Sequence, residues 1–202
     1  MFKTLRPLIL ASESPRRKRL LLSVGVEFDV HPSSIDESVW LGEPAEPGKG
    51  PAEVAERWAC LKADSISSQH PDSWILGADT IVVLDGRIFG KPSDSAGAVR
   101  MLNTLSGRVH EVITGMCLIE PGGKLRRSGS VTTRVRFKNL SMEEIGAYVR
   151  TAEPMDKAGG YGIQGIGAFL VESIEGSYTN VVGLPLCQAL EWLMSENIIE
   201  PA

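Results

Sequence analysis

The chain has too few cysteines and histidines, too widely spaced, to build a zinc site or a disulfide framework. Cys60, Cys117 and Cys187 are its three thiols, far apart in sequence, with no CxxC pair and no histidine beside them. Scattered cysteines with apolar flanks read as reduced thiols of a reducing compartment. His31, His70 and His110 are equally isolated, and each reads as a surface or structural residue rather than a general base. No apolar run approaches the length of a membrane span, and residues 8–11 are too short for a signal-peptide core, so the expectation is a cytoplasmic protein with no membrane partner. Positive charge is in deficit as well. Lys and Arg total 21 against 25 Asp and Glu, a net charge of −4, which argues against a nucleic-acid binder with a broad basic face. Internal repeats and low-complexity tracts are absent.

What remains is ordinary globular material, 43% hydrophobic and 23% charged over 202 residues. That length suits one domain spanning 1–202, built either around one core or as two small lobes sharing a cleft. Periodicity and punctuation predict a strand at 8–11, a helix at 15–24 closed by Gly25, a short strand at 28–31, and an acidic turn at 35–38. Residues 43–51 read as a Pro/Gly-rich surface loop. A helix at 52–67 carries Val54, Trp58, Leu61 and Ser65 on one face. Residues 73–84 form a buried strand that turns at Asp85-Gly86 into 87–89. A helix at 94–105 stops near Gly107, and strands at 111–119 and 131–137 flank the turn at Pro121-Gly122-Gly123. Ser141 and Glu144 form a capping box opening a helix to Arg150. A glycine-rich loop then leads to a strand at 168–174 and a last helix at 185–195. This alternation predicts an α/β fold, a mixed sheet flanked by helices.

Two apparent nucleotide motifs fail on context. Gly160-Tyr161-Gly162-Ile163-Gln164-Gly165 satisfies the dinucleotide fingerprint, but a turn precedes it and a strand-rich segment follows, so no helix start receives a pyrophosphate. Gly86 to Pro92 is one residue short of a P-loop and ends in proline where magnesium coordination needs Ser or Thr.

A better phosphate signal opens the chain. In Leu8-Ile9-Leu10-Ala11-Ser12-Glu13-Ser14-Pro15-Arg16-Arg17 an apolar strand runs into Ser14, a natural N-cap, and Pro15 at the first helical position. Cations at that end of a helix oppose its dipole, so Arg16 and Arg17 make sense if an anion, polyphosphate above all, binds between them and the helix start. Asp79 lies between the apolar runs 74–78 and 81–84, where burial is costly unless a metal ion or a nearby cation answers it. An aspartate capping a local turn is the simpler alternative. Lys91 stands between glycine and proline at a strand exit, and Lys62 at the margin of an apolar helical face, where a snorkelling lysine is also at home. Asp36 and Glu37 offer further carboxylates, Asp156 and Lys157 an adjacent pair that also reads as a surface salt bridge. Thr80 and Gln164 are neutral hydrogen-bonders suited to a pyrimidine edge. Glycines from 159 to 167 let backbone approach a ligand closely.

Four segments carry a resemblance: Ala11 to Arg17, Gly77-Ala78-Asp79-Thr80, Gly90-Lys91-Pro92, and Asp156-Lys157-Ala158-Gly159 through Gly165. In this order, from about Leu8 to Pro185, the chain resembles the Maf family of nucleoside triphosphate pyrophosphatases. The resemblance implies an elongated, two-lobed ITPase-like (Maf/Ham1) architecture with a central cleft. It also implies that Asp79 is the proton acceptor, acting with a divalent metal (Mg or Mn) to which Asp79 and Glu37 contribute. Arg16, Arg17, Lys62 and Lys91 then bind phosphate, Ser12 joins them in substrate binding, and Arg16 takes part in substrate selection. Trp58 and Leu61 depart from the family pattern around Lys62, where a small aliphatic and often an acidic residue stand. Thr80 directly after Asp79, together with Gln164, looks like the branch acting on dTTP and UTP, whereas the 7-methyl-GTP branch carries Gln at the position of Thr80.

The expected activity is hydrolysis of dTTP and UTP to the monophosphate plus pyrophosphate, which would keep modified nucleotides from incorporation and is linked to cell-division arrest. The alternatives are the same chemistry on a modified or methylated nucleotide, and a non-catalytic nucleotide-binding regulator of septum formation. The expected partner is the nucleotide, with a homodimer left open.

Overall fold

The computed structural model describes residues 1–33, 35 and 49–202. Asp36 and Glu37, with most of the loop expected at 43–51, lie outside the described residues. A seven-stranded mixed sheet forms the frame, in the order β3 (Asp29–Val30), β2 (Leu8–Leu10), β4 (Trp74–Leu84), β6 (Val109–Glu120), β7 (Lys124–Phe137) and β8 (Val171–Glu175). A further strand, β5 (Arg87–Phe89), pairs with β4. Strand β2 runs parallel to β3 and β4, and the remaining neighbours are antiparallel. Both β2 and β5 take the same edge of β4, β2 at Trp74–Leu76 and β5 at Val82–Leu84. Between them, residues 77–81 of β4 pair only with β6 among the described residues. A separate two-stranded ribbon joins β1 (Phe2–Thr4) to β9 (Ile199–Pro201).

The helices begin where local chemistry predicts. In α1 (Pro15–Ser23) Ser14 caps the amide of Arg17, and in α3 (Ser95–Leu105) Asp94 accepts from the Gly97 amide at 2.6 Å. The reciprocal Ser141–Glu144 box opens α4 (Met142–Arg150). The hairpin at Asp85-Gly86 has positive φ at both residues, 51° and 75°, which matches the twist of the strands it joins. Three expectations change. The strand expected to start at 168 starts at Val171, preceded by 3₁₀ turns at Glu153–Asp156, Ala158–Gly160 and Gly165–Leu170. The strands β1 and β9 and the short helix α5 (Tyr178–Val182), ahead of α6 (Leu186–Ser195), were not foreseen.

The third change concerns α2 (Pro51–Ser67), which crosses β4 and β6. Its buried face is Ala55, Ala59, Lys62, Ala63 and Ile66, whereas Val54 and Trp58 are half-buried and Leu61 is 38% exposed. The apolar stripe of Val54, Trp58 and Leu61 therefore faces a cleft instead of the core. The reason is the sheet beneath. A β-carbon on Gly77 would lie 2.2 Å from the Ala59 carbonyl oxygen, and one on Gly115 2.2 Å from the Ala55 carbonyl. Glycine in the strands and alanine in the helix bring the two backbones into direct contact, leaving no room for large side chains.

Alternation along β4 then sorts the cores. On one face Ile75, Ile81 and Val83 pack with the α2 alanines. On the other, Trp74, Leu76 and Ala78 join a cluster with Leu21, Leu184, Ala189 and Leu193, while Val82 and Leu84 join a second cluster with Leu102, Phe137, Ile145 and Tyr148. Asp79 and Thr80 fall between the clusters. Of the histidines, His110 is the structural one: it is buried, its Nε2 lies 2.7 Å from the Tyr161 hydroxyl, and its ring stands edge-on to Phe137 and Tyr161.

Burial pushes the His110 pKa down from its ordinary 6.5 to about 4. The unfolded chain therefore binds more protons between those values, and stability is lost as pH falls through that window. Urea titrations should show roughly 3 kcal/mol less stability at pH 4 than above pH 6.5 from this group, and His110→Gln should remove that part of the slope. Gly115→Ala should cost at least about 3 kcal/mol, since overpacking here meets backbone and not a side chain, and the same titration at neutral pH measures it.

Candidate active site

A cleft of about 930 Å³ opens where β2, α1 and α2 meet the stretch of β4 that pairs only with β6 among the described residues. Ser12, Arg16, Arg17, Lys62, Asp79, Thr80, Lys91 and Gln164 all line it. The eight expected residues among those described are thus brought together, and Glu37 lies outside the described residues.

Asp79 projects from β4 toward α2, where its Oδ1 lies 2.5 Å from Lys62 Nζ. Both side chains are largely buried, at 16% and 7% exposure. The cation that a carboxylate inside an apolar strand demands is therefore Lys62, delivered by the close helix-on-sheet contact. A partly desolvated pair of this kind is strongly coupled, and removing one member leaves the other charge uncompensated. Asp79 Oδ2 has no hydrogen-bond partner among the described residues.

Thr80 points to the opposite face of β4 and meets Arg17. The Arg17 guanidinium is buried and spends its donors on the protein: Nη1 on Ser12 Oγ at 3.0 Å, Nη2 on Thr80 Oγ1 at 3.0 Å, and Nε on the Gly183 carbonyl at 2.7 Å. Thr80 Oγ1 also lies 2.9 Å from Thr114 Oγ1, and Thr114 donates onward to the Asn180 carbonyl. Asn180, wholly buried, ties its amide to Val112 and Thr133. Arg17 is thus a cleft cation whose orientation is fixed by a network running through β4, β6 and α5.

Arg16 is the more open of the pair. Its Nη1 binds Asp156 Oδ2 at 2.9 Å, and Lys157 Nζ binds the other oxygen of Asp156 at 2.6 Å. Burial raises the Asp156 pKa, but the hydrogen bonds from Lys157 and Arg16 outweigh it and hold the carboxyl below its usual range. The adjacent Asp156–Lys157 pair read from sequence is thereby extended to α1. The turn bearing Lys91 is pinned, because the Gly90 carbonyl accepts from the Gly159 amide at 2.9 Å. Gly159 has φ +69° and packs on Val82, so only glycine serves there without strain.

Sequence reasoning missed Lys49 and Arg57, which also line the cleft, as does Lys157 of the adjacent pair for which a surface salt bridge was the alternative reading. In all, seven basic and three acidic side chains line it among the described residues. A chain of net charge −4 thus concentrates positive charge in one place. Among the described residues no group of three or more His, Cys, Asp or Glu is arranged to hold a metal, and no helix is long and apolar enough to cross a membrane.

A cationic cleft at a helix start, with a paired carboxylate on its floor, marks an α/β protein built to hold a small polyanion. The class narrows on comparison with known proteins: the family described as "Maf-like protein" matches residues 7–196, and the chain belongs to that family. The dTTP/UTP pyrophosphatase of Desulfotalea psychrophila is 48% identical over 98% of this chain and 99% of its own. That of Geobacter sulfurreducens is 54% identical over 91% of this chain and 93% of its own. The solved Ham1 protein of Staphylococcus aureus aligns over 82% of this chain and 80% of that one at a TM-score of 0.46 and 15% identity.

Arg17→Lys should be costly to the fold, because a lysine cannot reproduce three divergent hydrogen bonds from one planar fork. A loss of about 2–4 kcal/mol in chemical denaturation is expected, larger than for Arg16→Lys.

Proposed function

We propose that this protein is a nucleoside triphosphate pyrophosphatase acting on dTTP and UTP, yielding the monophosphate and pyrophosphate. The observation that carries the reading is the Lys62–Asp79 pair on the floor of a cationic cleft, with Thr80 next in the strand. The activity named for relatives that match nearly the whole chain supports it.

In this reading water attacks the α-phosphorus, the new P–O bond forms as the bond to the bridging oxygen breaks, and pyrophosphate leaves. Asp79 takes the proton from the attacking water. Arg16, Lys62 and Lys91 neutralise the phosphates and meet the charge that grows on the leaving pyrophosphate. Arg16 must exchange Asp156 for phosphate, and Lys157 then holds the released carboxylate. Arg17 adds its charge from a fixed position and holds Ser12 and Thr80 in register. Thr80 and Gln164 discriminate the base.

A divalent ion fits these residues. Ions of the magnesium type are held by one or two carboxylates plus substrate phosphates, without a protein cage. The Oδ2 of Asp79, without a hydrogen-bond partner among the described residues, and its hard-oxygen chemistry suit that pattern, and Glu37 is the second candidate. When bound, the ion would polarise the phosphate oxygens and acidify water.

Asp79→Asn should lower pyrophosphate release from dTTP and UTP by at least about a thousandfold in assays run well below its thermal midpoint, and the midpoint itself should fall by roughly 6–15 °C as Lys62 loses its buried counter-charge. Near-normal turnover would remove Asp79 from the chemistry. Lys91→Ala should reduce kcat/KM by roughly 30- to 1000-fold, the scale of losing one transition-state charge contact. Assays of pyrophosphate release with Mg²⁺, Mn²⁺ or EDTA measure both, and the metal requirement with them.

A further inference from the structure

The segment that brings Gln164 to the cleft is held by one carboxylate that does not itself line the cleft. Glu153 sits in the 3₁₀ turn Glu153–Asp156. Its Oε1 accepts from the Gly167 amide at 2.9 Å and from the Tyr148 hydroxyl at 3.0 Å, and its Oε2 accepts from the Ile166 amide at 3.2 Å. The Tyr148 hydroxyl in turn accepts from the Gly162 amide at 3.2 Å. Three backbone amides at the two ends of residues 162–167 thus converge on one Glu–Tyr pair.

The neck of this loop is closed to its steric limit. A β-carbon on Gly167 would lie 2.3 Å from the Gly162 carbonyl oxygen and 2.5 Å from the Tyr148 hydroxyl, and one on Gly162 would lie 2.7 Å from the Lys157 side chain. Tyr148 is buried in the core cluster around Phe137 and Ile145, so its hydroxyl is a fixed post. Hydrogen bonds from neutral amides to an ionised carboxylate are the stronger kind, and an Oε replaced by an NH₂ would face an N–H that it cannot accept.

We propose that Glu153, with Tyr148, is the positioning residue for base selection: the pair clamps residues 162–167 and so fixes where Gln164 meets the nucleobase. This rests on the reading of Gln164 as a base reader. Glu153 does not line the cleft, so its loss moves selectivity and affinity more than chemistry.

Glu153→Gln and Tyr148→Phe would be assayed with dTTP, UTP, CTP and ATP, and amide hydrogen exchange would be followed at Ile166 and Gly167. Glu153→Gln is expected to raise KM for dTTP and UTP about tenfold or more with kcat within about threefold, to narrow the preference over CTP and ATP, and to speed exchange at both amides roughly 100-fold. Tyr148→Phe should move the same quantities less far, and it decides the matter if Glu153→Gln does not fold. An unchanged preference among the four nucleotides, or equal losses for all of them through kcat, would overturn the proposal. If the wild-type protein released pyrophosphate from neither dTTP nor UTP, the substrate reading would fall. Exchange at Ile166 and Gly167 would then judge the clamp alone: slow in the wild type and fast in the variants upholds it, and no difference overturns it.

Discussion

The direct contact between α2 and the sheet governs the rest of the molecule. Gly77 and Gly115 have no side chain where the Ala59 and Ala55 carbonyls come down, and Ala63 continues the same small-residue track. Gly115 is also the register partner of Asp79 on the neighbouring strand. Lys62, one residue before Ala63, therefore ends at Asp79 with its whole stem covered. A helix carrying leucines on that face would stand several ångströms higher, and the ion pair would not form. Displacement of about an ångström is already enough to spoil a catalytic geometry. The packing of the helix and the placement of the chemistry are one constraint.

A second consequence comes from the pleat of β4. Asp79 and Thr80 are neighbours in sequence, so they leave the strand on opposite faces. One joins α2 through Lys62 and the other joins α1 and α5 through Arg17, Thr114 and Asn180. The cleft wraps the free edge of the strand and draws a carboxylate from one side and a hydroxyl from the other. Helices packed on opposite faces of the sheet are thereby coupled through adjacent residues.

Much of this was legible in the sequence because it is local. Ser14 and Ser141 announce helix starts through side chains that satisfy nearby amides, and Asp85-Gly86 announces its turn through the φ angles it tolerates. Asp79 announced its need for a cation by standing in an apolar run. Which cation answered was not readable, since it depends on how close a helix sits to a sheet. The same distance decides what the face of α2 bearing Val54, Trp58 and Leu61 meets, which is the cleft and which the sequence pattern did not say. The strands β1 and β9 were missed because each is three residues long and finds its partner at the other end of the chain. Glu153 gave no signal, because two of its three side-chain partners are backbone amides, and these carry no side-chain identity.

The interrupted edge of β4 has one more meaning. An unpaired strand edge normally invites another chain to add itself, and proteins spend charge, proline or bulges to prevent it. Here the stretch without a second strand partner is only five residues, 77–81, and it is bounded at both ends by β2 and β5 among the described residues. A foreign strand would have to enter between two strands already seated on that edge. The gap is too short for a polypeptide to add itself, so Asp79 and Thr80 reach the cleft from an interrupted strand edge that does not become a template for aggregation.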